Sequence, residues 1–404
     1  MNAFSLTEDH RATISGLPAS LSRHLRLATL FTPQRPLVLE SGRSLSHVQV
    51  AYEEYGTPSR HHDNTVFVCH ALTGDSHPAR HDGDDIPGWW DVMVGPGRPI
   101  DTDTFHVVSA NVLGGCAGTT GPLSPGESAR PLGPDFPEVT VADMVTVHRA
   151  LLAHLGIGRL HSVVGGSLGG MQALEWLLRH PGDAGRFVLI GTAACLTADG
   201  LAAHAVGRAA IRSDPRFDGG RYVDDLFESG PRDGLGTARM IAHLTYMSPE
   251  SLETKFGRAV QPGREPVGPA HGRYAIERYL EHQARKFVDR FDANSYLHLT
   301  TAMDRFNAFD RPHAIAPDND PAVHVFSFAS DRLFGHAVTS ALLAQLKATG
   351  LTTLTHHRDS TSPAGHDAFL LNVPGYLREM SSVLAPPAVT PSAPSHSLLH
   401  PQRL

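Results

Sequence analysis

Cysteine is scarce in this chain: Cys69, Cys116 and Cys195 are the only three among 404 residues. Three scattered thiols exclude a disulfide framework, and the lack of any CxxC pair excludes a thiolate metal cluster. They read as small buried hydrophobes in a reducing cytoplasm. The chain also lacks any run of Lys or Arg, and its net charge is −7, which speaks against an electrostatic nucleic-acid binder. No apolar stretch reaches the roughly 18 to 20 residues of a membrane span. Met1–His10 lacks the basic start and apolar core of a signal peptide. The expectation is a cytoplasmic protein with no nucleic-acid and no membrane partner. No repeat with a period of 20 to 50 residues is present.

What the chain does have is alternation. Short β-rich runs cover Val48–Tyr52, Thr65–Cys69, Phe105–Ser109, Ser162–Val164, Phe187–Ile190, Val323–Phe328 and Leu351–Thr355. Most are nearly continuous hydrophobic runs, as strands covered on both faces require. Helical patterns at Val141–Leu155, Met171–His180 and Val338–Ala348 fall between them. This order predicts an α/β fold with a mostly parallel central sheet and helices on both faces. From Leu196 to Phe309 the alternation stops, and only helical periods remain (Thr237–Leu244, Ala275–Phe287). That segment reads as a helical lid inserted over the carboxyl ends of the sheet, with Gln261–Gly272 a Gly/Pro-rich loop inside it. The predicted organisation is an N-terminal arm (1–35), a first core part (36–195), the lid (196–309), a second core part (310–385) and a disordered tail (386–404).

The most informative stretch is Gly165-Gly166-Ser167-Leu168-Gly169-Gly170. His161–Val164 reads as a buried strand before it, and Met171–Leu178 as a helix after it. Strand, G-x-S-x-G turn and helix make a nucleophile elbow, which holds a serine hydroxyl at the tip of a sharp turn above a helix N-terminus. Such a fold is an α/β-hydrolase fold, and its acid and histidine follow the serine in that order. Asp331, just after the run Val323–Phe328, and His366, in Gly365-His366-Asp367, stand in the expected places. Asp331 would orient His366, and His366 would deprotonate Ser167. Asp318 and Asp320 lie before the strand, at its wrong end; Asp359 lies in the loop leading to His366. The chain holds 26 histidines, so order and topology, rather than residue type, single out His366. The oxyanion hole needs two backbone N–H groups, and Leu168 and Leu72 are the candidates.

Several longer stretches then carry a resemblance. CHALTGDSH (Cys69–His77), GWWDVMVGPGRPIDTDTF (Gly88–Phe105), ANVLGGCAGTTGP (Ala110–Pro122), VVGGSLGGMQALEW (Val163–Trp176), ARMIAHLTYMS (Ala238–Ser248), KFVDRFDANSYL (Lys286–Leu297) and GHDAFLL (Gly365–Leu371) resemble, in order, the homoserine O-acyltransferase family. The resemblance implies a ping-pong transfer through an acyl-Ser167 intermediate to the side-chain hydroxyl of L-homoserine, in methionine biosynthesis. It implies that Arg239 binds the acceptor carboxylate, that Tyr246 lines the same pocket and that Asp367 holds the acceptor amine. Without it, Arg239 would read as a solvated helix arginine. It further implies no bound cofactor, no metal and a homodimer formed through the lid helices. NVLGGC (Asn111–Cys116) is similar to acetyl-transferring members, which makes acetyl-CoA the expected co-substrate. Arg332 and Gly335-His336 depart from the family pattern.

Other readings stay open at this stage. A succinyl-CoA-dependent transferase, a transferase to serine or to an alcohol such as deacetylcephalosporin C, and a serine ester hydrolase all share the triad logic. A binding role without catalysis is disfavoured by the presence of Ser167, Asp331 and His366 together. His77-Pro-Ala-Arg-His81-Asp-Gly-Asp-Asp85 invites a metal reading, but it is a polar loop without helical register. Trp89 and Trp90 read as packing residues in preference to a ligand-stacking pair.

Overall fold

In a computed structural model, residues 22–61, 63–126, 130–222, 230–260 and 274–385 are described. Strands β1 (Arg26–Phe31), β2 (Val48–Tyr55), β3 (Thr65–Cys69) and β4 (His106–Ala110) come first, followed by helix α1 (Val141–His154). A capping box at its start, in which Thr140 and Asp143 each accept the other's backbone N–H, fixes where α1 begins. Strand β5 (Leu160–Gly166), helix α2 (Leu168–Arg179) and strand β6 (Ala184–Ile190) form the centre. Five helices follow with no sheet strand among the described residues: α3 (Ala198–Ser213), α4 (Arg232–Tyr246), α5 (Pro249–Phe256), α6 (Ala275–Val288) and α7 (Ala293–Arg305). Strand β7 (Ala322–Phe328), helix α8 (His336–Ala348), strand β8 (Leu354–Asp359) and helix α9 (Pro374–Leu384) complete the chain.

The main sheet has eight strands in the order β1-β2-β4-β3-β5-β6-β7-β8. Its first two pairings are antiparallel and the remaining five parallel. Residues two apart on a strand share a face, and the core is divided accordingly. Phe67, Val163 and Leu189 point into one layer with Trp176 and Leu177 of α2. Their neighbours Val66, Val68, Val164, Val188 and Ile190 point into the other, with Tyr376, Met380 and Leu384 of α9. The central strands are buried throughout because helices cover both faces.

Strand β1 corrects the reading of residues 1–35 as an arm. Arg26–Phe31 pairs antiparallel with β2 and forms the sheet edge. Its sequence RLATLF buries Ala28 but leaves most other positions partly exposed, so it lacks the apolar run that marked the central strands. The last strand also starts later than expected, at Leu354, and every residue after it, Thr355 to Asp359, is polar. Residues 1–21, the tail 386–404 and the whole Gln261–Gly272 loop reading lie outside the described residues.

The inserted helices are bound tightly to one another. At Gly234 of α4 a Cβ would lie 2.5 Å from the carbonyl oxygen of Ala210 in α3, so only glycine permits that helix crossing. Asp292 caps α7 by accepting from Ser295 N at 2.7 Å and also accepts the Tyr222 hydroxyl at 2.7 Å. The helices reach the core through Ser248 Oγ, which donates to Pro363 O, and Arg332, which donates to Leu244 O at 3.3 Å. Arg290 donates to Thr73 O at 2.8 Å on the other side.

Trp176 is wholly buried against Phe67 and donates its indole N–H to Asp183 at 2.9 Å. Trp176→Ala should destabilise the protein by about 3–5 kcal/mol through the cavity left behind. Chemical denaturation followed by circular dichroism measures this, and a midpoint equal to wild type would contradict the packing described.

Candidate active site

The turn between β5 and α2 is forced into an uncommon shape. Ser167 has φ 57° and ψ −121°, a left-handed conformation that disfavours residues with a side chain and stores about 1–3 kcal/mol of strain. It is held by the hydrogen bonds Ser167 N to Ile190 O and Thr192 Oγ1 to Ser167 O, both 2.9 Å. The flanking sequence tolerates nothing larger than glycine. A Cβ at Gly165 would lie 2.1 Å from Gly169 O, and one at Gly169 would lie 2.1 Å from Cys69 O. This close approach brings the loop after β3 against the start of α2.

Around that hydroxyl stand the predicted partners. Ser167 Oγ donates to His366 Nε2 at 2.9 Å, and His366 Nδ1 donates to Asp331 Oδ2 at 2.9 Å. The other Asp331 oxygen accepts the backbone N–H groups of Leu333 and Phe334. All three side chains are buried. Burial alone would push the imidazole down, but the Asp331 carboxylate favours the imidazolium and holds His366 above its ordinary 6.5. Burial likewise pushes Asp331 up; the His366 charge and hydrogen bond, with the two N–H donors, outweigh it and hold the carboxyl low. The competing acids are elsewhere. Asp320 accepts from Thr352, Asp359 accepts from Thr361 and Ser362, and Asp318 lies before β7.

Leu168 opens α2, and Leu72 lines the same cavity as Ser167. The Leu72 loop is shaped by His70, whose Nδ1 donates to Ala71 O at 2.8 Å while its Nε2 accepts from Val112 N at 3.0 Å. Burial lowers the His70 pKa, which keeps the ring neutral as that pattern requires. Sequence reasoning passed over His70, one histidine among many.

The inserted helices form the roof of the cavity. Tyr246 lines it with Ser167, and its ring centroid is 5.8 Å from that of His366. The Arg239 guanidinium lies 5.0 Å from the Phe287 ring and 5.9 Å from Tyr246. Its Nε and Nη1 are buried and have no acceptor among the described residues. Asp367 is pushed up by burial, against the opposing pull of His366 and Arg239. One turn beyond Arg239, His243 is buried with neither ring nitrogen partnered among the described residues. Burial, then Arg239 and Lys255, push it down to about 3, so the imidazole is neutral here.

Residues 64–373 match the family model described as the alpha/beta hydrolase fold. A homoserine O-succinyltransferase of Nocardioides sp. is 47% identical over 360 residues, 87% of this chain and 95% of that one. A homoserine O-acetyltransferase of Symbiobacterium thermophilum is 45% identical, over 86% of this chain and 92% of its own. The chain belongs to the homoserine O-acyltransferase family. Among solved structures, an esterase is similar with a TM-score of 0.77 and 26% identity, over 89% of this chain and 99% of that one. Within this family the donor named for a relative is acetyl in some and succinyl in others.

Three details outside the triad bear on the earlier expectations. Cys69 and Cys116 are buried, but Cys195 is exposed, because it lies beyond β6 where the chain leaves the core. Trp90 is fully buried and donates to Phe369 O at 2.8 Å, and Trp89 stacks on it and donates to Asp75 O; both pack. Glu53, His77 and His81 converge, with their donor atoms within 4.8 Å of one another, and are the described residues best able to hold a metal ion. Here they bind each other: one Glu53 oxygen accepts from His77 and His81, each at 2.9 Å. Burial lowers His77, yet its bonds to Glu53 outweigh this and raise it to about 9, so the pair is an internal ion pair.

Asp331→Asn removes the charge that holds His366 up and leaves its burial intact. The His366 titration, followed by NMR of its ring, should move from above 6.5 to below it. A pKa unmoved by the substitution would contradict the assigned partner.

Proposed function

We propose that this protein transfers an acetyl group from acetyl-CoA to the side-chain hydroxyl of L-homoserine, through an acyl-Ser167 intermediate. The observation that carries the reading is Arg239: a guanidinium whose Nε and Nη1 are buried with no acceptor among the described residues, set over the Tyr246 ring that stands against His366. A buried unpaired charge costs several kcal/mol, and an acceptor carboxylate would satisfy it with two parallel hydrogen bonds. An ester hydrolase, whose acceptor is water, has no use for such a group.

The steps follow from the geometry. Ser167 Oγ attacks the thioester carbonyl as His366 Nε2 takes its proton, with Asp331 stabilising the imidazolium. The N–H groups of Leu72 and Leu168 receive the developing oxyanion, each worth about 2.7–4 kcal/mol in the transition state. The C–S bond breaks, and His366 returns the proton to the departing sulfur. Homoserine then enters with its carboxylate on Arg239, near Tyr246, and its ammonium beside Asp367. His366 takes the hydroxyl proton as that oxygen attacks the acyl carbonyl; the C–Oγ bond breaks and the proton returns to Ser167. No bound cofactor or metal takes part in these steps.

The inserted helices act as a lid that favours the amino acid over bulk water. The exposed Leu201, Val206 and Leu244 on them support a homodimer formed through the same helices. Among the described residues no helix is long and apolar enough to cross a membrane, which agrees with a cytoplasmic enzyme. Hydrolysis is the second reading, favoured by the esterase of similar fold; product analysis with and without homoserine separates the two.

Ser167→Ala should form no acyl-enzyme when acetyl-CoA is added; intact-protein mass showing a normal adduct would refute the nucleophile. Arg239→Ala should raise the homoserine KM by about ten- to a hundredfold, while thiol release in the first half-reaction persists. Activity should fall as pH drops through the raised His366 pKa, because only the neutral imidazole accepts the serine proton. A rate that stays level well below pH 6.5 would count against His366 as the base.

A further inference from the structure

The two segments assigned the oxyanion donors are tied together by one side chain. Gln172, one turn past Leu168 on α2, is wholly buried. A buried amide is costly unless its polar atoms are bonded, and these are. Gln172 Nε2 donates to His70 O at 3.1 Å and to Leu168 O at 3.3 Å, and Oε1 accepts from His148 Nε2 at 2.9 Å. The two carbonyls can only accept, so the amide has one orientation. Its nitrogen faces the loop after β3 and the start of α2, and its oxygen faces α1.

The anchor behind the amide is rigid. His148 of α1 is wholly buried, its ring 4.9 Å from that of Phe67 and 6.3 Å from that of Trp176. Burial pushes it down to about 4, so the ring is neutral and Nε2 carries the proton given to Gln172. In front of the amide, His70 lies two residues before Leu72, and Leu168 is itself a donor. The close approach of Gly169 to Cys69 O sets how near the two segments lie. It does not set where their N–H groups aim, because contact has no preferred direction and a hydrogen bond has. The three bonds of the Gln172 side chain bypass Ser167, His366 and Asp331.

We propose that Gln172 is a positioning residue of the oxyanion hole: by bonding His70 O and Leu168 O from one nitrogen, it fixes the separation and aim of the Leu72 and Leu168 N–H groups. This assignment rests on Ser167 carrying the acyl group. The same carbonyl oxygen becomes the oxyanion twice, when Ser167 attacks the thioester and when the acceptor attacks the acyl-enzyme. Both half-reactions therefore depend on the one aim. A side chain that placed only the donor or only the acceptor would govern one of them.

The test compares the full-length protein with Gln172→Met, which keeps the side chain's length and loses its hydrogen bonds. Single-turnover acylation by saturating acetyl-CoA, read as the Ser167 adduct by intact-protein mass, should slow by about ten- to a hundredfold. Loss of that adduct to homoserine and to water should slow by a similar factor. The half-saturating acetyl-CoA concentration and the midpoint of the pH profile should not move, since neither donor binding nor His366 is touched. Acylation as fast as wild type in the folded variant overturns the proposal. So does slowing of one half-reaction alone, or slowing accompanied by a shifted pH midpoint or weakened acetyl-CoA binding. Whether or not the variant folds, both Gln172 Nε2 protons of the wild-type protein should be protected from hydrogen exchange; exchange as fast as a free amide overturns the tether. No adduct on the wild-type protein would instead overturn the acyl-serine reading on which the assignment stands.

Discussion

The left-handed turn at Ser167 is the constraint on which the rest of the molecule depends. A strand buried on both faces must stop, reverse and become a helix within one residue, and the residue at the tip pays for it in backbone strain. The surroundings over-determine that shape: Ile190 O and Thr192 hold the backbone, and neighbouring main chain approaches so closely that Gly165 and Gly169 cannot carry a Cβ. In return the hydroxyl projects away from the sheet, over the positive end of α2. The parallel order β3-β5-β6-β7-β8 then places the loops after β3, β7 and β8 at the same edge, where they deliver Leu72, Asp331 and His366.

Electrostatics divide the site into two regimes. Below, the buried His366–Asp331 pair is internally compensated, each partner favouring the other's charged form against desolvation. Above, Nε and Nη1 of Arg239 lack an acceptor among the described residues, His243 is kept neutral by burial and then by Arg239 and Lys255, and Arg208 shares Asp304 with His204. A self-satisfied base with an unsatisfied roof suits an enzyme whose chemistry is built in and whose selectivity comes from the charges of what it binds.

Much of this was legible in the residues. The elbow was readable because its glycines answer a local steric demand, and Asp331 and His366 because their place after successive strands is a topological rule. The central strands announced themselves by apolar runs, a direct consequence of burial on both faces. Strand β1 did not, since an edge strand buries one side and its polar positions break the pattern. Cys195 was misread for a related reason: residue type favours burial, but position beyond β6 decides it.

The sequence by itself determined the serine of the elbow, its strained turn, the order of its partners and the alternating sheet, because these depend on near neighbours along the chain. Only the tertiary structure decided that Arg239 Nε and Nη1 are buried without an acceptor among the described residues, that His204 reaches the serine's cavity and that Glu53 gathers His77 and His81. Each of those facts is a matter of which charges are brought together, and desolvated, across long separations in sequence. Spacing along a chain carries no record of that.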